Sequence, residues 1–161
     1  MQAADIKYLN VDLAVGGTEQ RKVHMIGKDS ASLLNHKFIA LHTPLITSLK
    51  GPGQKMSKSI PGSGVSLQDT HEEIKKAISE AYCPMNVIKE NPILQICKLI
   101  IFPRIKELTI KRPDKFGGNI SFSDYEHLEK VYEKGDLHPA DLKTSLIEEL
   151  EKIIAPIRKK I

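Results

Sequence analysis

At 161 residues, 40% hydrophobic and 27% charged, the chain has the composition of an ordinary soluble globular protein, with room for one domain or two small ones. A formal net charge of +4 favours an anionic partner, but a solvated lysine-rich surface gives the same figure. No apolar run approaches the length of a membrane span and the first residues show no charged-then-apolar signal pattern; with the cysteine usage below, a cytoplasmic protein with no membrane partner is the expectation. The two cysteines, Cys83 and Cys97, have no His or Cys partner at ligand spacing and read as buried thiols, not as a disulfide or a metal site.

In chain order, Gln2 and Asp5 come first, three apart and so on one face of a helical turn. Inside a pocket such an amide and carboxylate suit an amino acid bearing a hydroxyl or ammonium group; on a surface they are an ordinary polar pair. VDLAVGG (11–17) reads as a short apolar strand running into paired glycines and a helix, and KFIALH (37–42) as a second strand ended by Pro44. Gly16 and Gly17 let a ligand approach the backbone where a helix N-terminus favours an anion, although a Gly-Gly turn can be only a turn. Glu19 and Gln20, in the first helical turn, would face the same pocket. A carboxylate there can accept from ribose hydroxyls, or simply complement the helix dipole.

Residues 50–66 are rich in Gly, Ser and Pro and predict a loop, within which lies GQKMSKS (53–59). Lys55 and Lys58 on a mobile loop suit the transient holding of a polyphosphate, because ammonium groups grip phosphate oxygens without fixed geometry. A positioned cation also lowers the barrier when a phosphoanhydride breaks and charge grows on the departing oxygens. The alternative is an exposed basic turn.

The pattern then turns helical. Thr70 and Glu73 have capping-box spacing, followed by Ile74, Ala77, Ile78, Ala81 and Tyr82 on one face. Residues 92–101 predict an apolar helix, and residues 107–122 two short strands joined by a Gly-Gly turn. Ser123 and Glu126 predict a second capping box opening a helix to about Lys134. A last helix from about Pro139 carries Leu142, Leu146, Leu150, Ile153, Ile154, Ile157 and Ile161 on one stripe. Phe116 falls on a turn, and His138 and Asp141 fall at the start of the last helix. An aromatic ring and an imidazole can sandwich an unstacked base while a carboxylate accepts from a guanine edge; a core phenylalanine beside a helix cap is the alternative. The fold class is thus α/β plus α, dividing near residue 85.

Taken together, MQAADI, VDLAVGGTEQRKVHM, KMSKS, IKRPDKFGG and LHPADLK resemble the tyrosyl-tRNA synthetases of the archaeal and eukaryotic type, across essentially the whole chain. The resemblance implies that residues 1–84 are the second half of a class I, Rossmann-like catalytic domain and residues 85–161 a mostly helical anticodon-binding domain. It implies a tyrosine pocket lined by Gln2, Asp5 and Gln20, with Asp5 meeting the phenol hydroxyl. Gly16, Gly17 and Glu19 would pack against the ATP ribose, and Lys55, Met56, Ser57, Lys58 and Ser59 would hold the phosphates. Lys55 and Lys58 would stabilise departing pyrophosphate. Arg21 would reach the tRNA acceptor stem, Phe116 and His138 would stack on the first anticodon base, and Asp141 would read its edge. ATP with Mg2+ enters as substrate, and no tightly bound cofactor or protein metal site is expected.

The family's His-x-Gly-His signature, carried on a preceding stretch of about equal length, does not occur in these residues; HMIG (24–27) lacks the second histidine. A complementary N-terminal half is therefore the expected partner, with tRNA(Tyr), tyrosine and ATP, and a homodimer is implied by the family. Two other readings remain: a tRNA-binding module without catalysis, and the related tryptophanyl enzyme, against which Asp5, AVGGTEQR and HPADLK argue.

Overall fold

The structure is a computed structural model of the chain and describes residues 2–54, 56–57 and 59–161. Its contacts divide into two compact units, Met1–Leu45 and Ile46–Ile161.

The first unit is a small β-α-β arrangement. Helix α1 (Gln2–Tyr8) leads to strand β1 (Leu13–Gly17), a 3-10 turn (Thr18–Gln20), helix α2 (Arg21–Asp29), the single turn α3 (Ala31–Leu34) and strand β2 (Ile39–Thr43). The two strands pair in parallel with Gly16 opposite His42, which requires the intervening crossover that α2 and α3 supply. Ile6, Ala14 and His24 are buried between strands and helices. Gly27 is buried too, because a Cβ there would press on the Phe38 ring at 3.2 Å and on Ala3 at 3.3 Å. The opposite sheet face carries Leu13, Val15, Ile39 and Leu41, each more than half exposed.

The second unit holds the larger core. Helix α4 (His71–Glu80) packs against the long helix α7 (Pro139–Arg158), burying Ile74, Ile78, Leu142 and Leu146. Between them come α5 (Pro92–Ile96), continued by a π turn to Ile101, then the antiparallel strands β3 (Leu108–Ile110) and β4 (Ile120–Phe122), and α6 (Tyr125–Lys134). Leu49, ahead of the glycine-rich loop, is buried in this core, so the loop's stem belongs to the second unit. Both cysteines are free: Cys97 is buried, and Cys83 lies 3.1 Å from the Tyr132 hydroxyl. Burial pushes the Cys97 thiol up to about 12, which leaves it unreactive at neutral pH.

The predicted elements recur with local differences, one being that α4 ends at Glu80 and leaves Ala81 and Tyr82 beyond the helix. α4 has the full capping box, with Glu73 N–H donating to Thr70 Oγ1 and Glu73 accepting from the Thr70 N–H and hydroxyl. α6 does not: its cap is Asp124, whose carboxylate accepts from the His127 N–H at 2.8 Å, while the Ser123 hydroxyl donates to Asp124. A carboxylate one residue nearer the helix outcompetes the serine. The last stripe also stops early: Ile157 is exposed within the final turn of α7, and Ile161 lies exposed beyond its end at Arg158. Among the described residues, no helix is long and apolar enough to cross a membrane.

These caps make the fold acid-sensitive. Hydrogen bonds from the Thr70 N–H and hydroxyl hold Glu73 below its ordinary range, the His127 N–H does the same for Asp124, and the Arg158 guanidinium for Glu151. A depressed carboxylate contributes stability that is complete above its unfolded pKa and is lost as the pH falls through the lower folded value. Urea midpoints should therefore hold steady near neutrality and fall once the pH drops below about 4.5, the ordinary glutamate value. Glu73→Gln should flatten that fall; an unchanged slope would remove Glu73 from the account.

Candidate functional site

Three groups of predicted residues can be located. In the first unit, Gly16 and Gly17 end β1 and run into the 3-10 turn that holds Glu19 and Gln20. A Cβ on Gly16 would sit 3.1 Å from the Gln20 side chain and 3.4 Å from His24, and one on Gly17 would push the Glu19 carboxylate aside. Gly16 and Gln20 are thus brought together, as are Gly17 and Glu19. Beneath them, buried His24 Nδ1 lies 3.0 Å from His42 Nε2, tying α2 to the end of β2. Arg21 opens α2 with its side chain exposed, and Gln2 and Asp5 are exposed on α1. No hydrogen bond among the described residues joins Gln2, Asp5 and Gln20.

The second group is the glycine-rich loop. Lys55 and Lys58 lie outside the described residues. What surrounds them is a fixed frame. The buried Ser63 hydroxyl accepts from the Ser57 N–H at 3.0 Å and donates to the Ser57 carbonyl at 2.8 Å. The Ser63 carbonyl in turn accepts from the Leu49 N–H at 2.9 Å, fastening the loop's two stems together. The Ser57 and Ser59 hydroxyls are 2.9 Å apart at its exposed rim. Met56 folds inward over Gly64, where a Cβ would meet it at 3.0 Å. Gly51, at φ +105°, turns the chain against the Tyr82 ring, and Gly53, at φ +75°, has open space around it. Left-handed glycines at the entrance permit the sharp turn that an L side chain would resist.

The third group converges fully. Phe116 ends a 3-10 turn (Asp114–Phe116) closed by Gly117 at φ +92° and Gly118 at φ +69°. Its ring is 60% exposed instead of joining the core. His138 is the N-cap of α7, with Nδ1 accepting from the Ala140 N–H at 3.1 Å, so the proton rests on Nε2. Asp141 lies in the first turn, where the helix dipole favours a carboxylate. All three line one cleft of about 390 Å³ with Met85, Arg112, Gly135 and Asp136. An exposed ring, an imidazole and a carboxylate around a base-sized cleft can stack a planar ligand and accept from its edge.

Two further side chains were not legible as site residues. Arg112 joins the two turns of the cleft, and Lys143, in HPADLK, donates to the Ser79 and Ala81 carbonyls at 2.9 and 2.6 Å. Lys143 thereby caps the C-terminal end of α4, which leads out of the loop segment, from the helix that carries Asp141. Both Lys143 partners and the Asp136 partner of Arg112 are distant in sequence.

A β-α-β unit ending its first strand in paired glycines, followed by a KMSKS segment, resembles the class I synthetases. The family of tRNA synthetases class I (W and Y) matches residues 1–155, and the chain belongs to that family. Tyrosine–tRNA ligase of Methanocaldococcus jannaschii is 48% identical over 162 residues, covering 100% of this chain and 50% of that protein. The crystal structure of tyrosyl-tRNA synthetase from Archaeoglobus fulgidus, complexed with L-tyrosine, matches with a TM-score of 0.87 at 42% identity, covering 98% of this chain and 49% of that one. Tyrosyl-tRNA synthetase from Pyrococcus horikoshii, also complexed with L-tyrosine, matches with a TM-score of 0.88 at 34% identity, over 99% of this chain and 50% of that one. The chain spans about half the length of the curated relatives it matches.

Proposed function

We propose that this chain acts as the second half of a tyrosine–tRNA ligase, working with a complementary N-terminal half that carries His-x-Gly-His. The observation that carries this reading is the alignment of the whole chain with proteins named tyrosine–tRNA ligase. In this reading residues 1–84 complete the catalytic domain and residues 85–161 bind the anticodon. Gln2, Asp5 and Gln20 line the tyrosine pocket, and Gly16, Gly17 and Glu19 take the ATP ribose. A tyrosine carboxylate oxygen attacks the α-phosphorus of magnesium ATP, and the bond to the bridging oxygen breaks. Lys55 and Lys58, with Met56, Ser57 and Ser59, receive the pyrophosphate that leaves. A ribose hydroxyl at the tRNA terminus then attacks the tyrosyl carbonyl and AMP departs, with Arg21 holding the acceptor stem. The setting is the cytoplasm, and two copies of the two-half enzyme would pair as the family's homodimer does.

The need for a partner half is supported by the open sheet of the first unit. An isolated two-stranded parallel sheet is marginal, and parallel sheets are ordinarily covered on both faces. Here one apolar face, Leu13, Val15, Ile39 and Leu41, meets solvent. The competing reading, a tRNA-binding module without catalysis, draws on the second unit having its own core and the whole anticodon cleft. Tyrosine-dependent ATP–pyrophosphate exchange, run on this chain alone and with an N-terminal half added, separates the two. The ligase reading expects exchange in the mixture, and with tyrosine in preference to tryptophan. An inactive mixture that still binds tRNA would leave the module.

Anticodon reading makes its own prediction. Asp141→Ala should cost about 1–3 kcal/mol of discrimination at the first anticodon base, the usual worth of an edge contact. The check is binding of anticodon stem-loops that differ only at that base. Equal weakening for every stem-loop would make Asp141 structural.

A further inference from the structure

Arg112 is half-buried in the wall of the cleft, and its Nε and Nη1 groups both donate to backbone carbonyls. Its Nε–H donates to the Gly118 carbonyl at 3.0 Å, and Nη1 donates to the Asp136 carbonyl at 2.9 Å. Its own N–H donates to Asn119 Oδ1 at 3.1 Å, which fixes the arginine's backbone to the far side of the same turn. Gly118 belongs to the turn that presents Phe116, and Asp136 to the connection between α6 and α7, two residues before His138. One planar guanidinium therefore joins the loop bearing the aromatic ring to the loop bearing the imidazole. No hydrogen bond directly links Phe116 to His138 or Asp141 among the described residues.

We propose that Arg112 is the positioning residue of this cleft, setting the separation of Phe116 and His138 at which a single base stacks and presents its edge to Asp141. This rests on the anticodon reading given above and adds the group that makes the cleft selective. A carboxylate discriminates between bases only when the base is held at a fixed height and angle, and a looseness of about an ångström is enough to lose that. The fork geometry matters more than the charge. Two donors leave a guanidinium in fixed, divergent directions, whereas a lysine ammonium is a point charge on a flexible stem.

The test compares Arg112→Lys and Arg112→Met with Asp141→Ala in the full 161-residue chain. Each is titrated with four anticodon stem-loops that differ only at the first anticodon base, across a range of salt concentrations. The wild-type chain should prefer its cognate loop by about tenfold or more. Arg112→Lys should lose most of that preference despite keeping its charge, and Arg112→Met should behave the same, with melting temperatures of both near wild type. Retention of the wild-type preference by Arg112→Lys overturns the proposal. So does an equal loss of affinity for all four loops, which with a salt slope reduced by about one in Arg112→Met alone would mark a phosphate contact. If Asp141→Ala abolishes the preference and Arg112→Lys does not, the anticodon reading stands and the clamp falls. A wild-type chain with no preference overturns both.

Discussion

Replacing Lys55 or Lys58 by alanine is expected to lower tyrosine-dependent ATP–pyrophosphate exchange about 10²–10³-fold in the reconstituted enzyme, the usual effect of removing one group that stabilises developing charge. The expectation comes from chemistry and the sequence motif. As the bond to the departing pyrophosphate lengthens, negative charge gathers on its oxygens, so a nearby ammonium stabilises the transition state more than bound ATP. The loss should therefore appear in kcat and leave the affinity for tyrosine close to wild type. The frame around the two lysines fits this division of labour. Ser63 pins Ser57 and the stem at Leu49, while Gly51 and Gly53 take left-handed turns at the entrance. Stopped-flow or steady-state exchange with tyrosine titrations would decide it. A loss below threefold, or one confined to tyrosine KM, would return the segment to an exposed basic turn.

Much of the architecture follows from short-range signals. The strand ending in Gly16–Gly17, the strand stopped before Pro44 and the Thr70–Glu73 box are all decided within a few residues, and each is found where its signal lies. The Ser123 cap failed for an equally local reason, since Ser-Asp-Tyr-Glu offers two side-chain acceptors and the pattern alone does not rank them. Longer-range organisation was less legible. The sequence changes character near residue 85, yet Leu49 packs with Ile74 and Ile78, so the compact units part at Leu45. Hydrophobic periodicity cannot register a contact between an isolated leucine and a helix that follows a loop. The cleft shows the same limit. Phe116, His138 and Asp141 were nameable through resemblance, but the arginine spanning their two turns looked like one more surface cation in a basic chain.

Asn91→Ala is expected to destabilise the second unit by about 2–4 kcal/mol, combining a lost helix cap with newly orphaned buried groups. Asn91 is fully buried, which is rare for an amide and tolerable only because both ends are bonded. Its Oδ1 accepts from the Ile93 and Leu94 N–H groups at 3.1 and 3.3 Å, capping α5 just ahead of Pro92. Its Nδ2 donates to the Val87 carbonyl at 2.9 Å and approaches Cys83 Sγ at 3.6 Å. The same sulfur lies against the Tyr132 hydroxyl, which donates to the Pro84 carbonyl at 2.9 Å. The Asn91 amide thus fastens the helix-free segment 82–91 to α5, while Tyr132 fastens the same segment to α6. Alanine leaves the buried Ile93 and Leu94 N–H groups without their acceptor, where water cannot replace the lost partner, and takes the donor from the Val87 carbonyl. Asn91→Asp is the informative companion: it retains the acceptor but loses the donor and buries a charge, so it should be no less damaging than alanine. Urea unfolding followed by far-UV circular dichroism gives the numbers. A cost below 1 kcal/mol for Asn91→Ala would mean that solvent reaches the cap, and an Asn91→Asp variant as stable as wild type would show that the bond to Val87 contributes nothing.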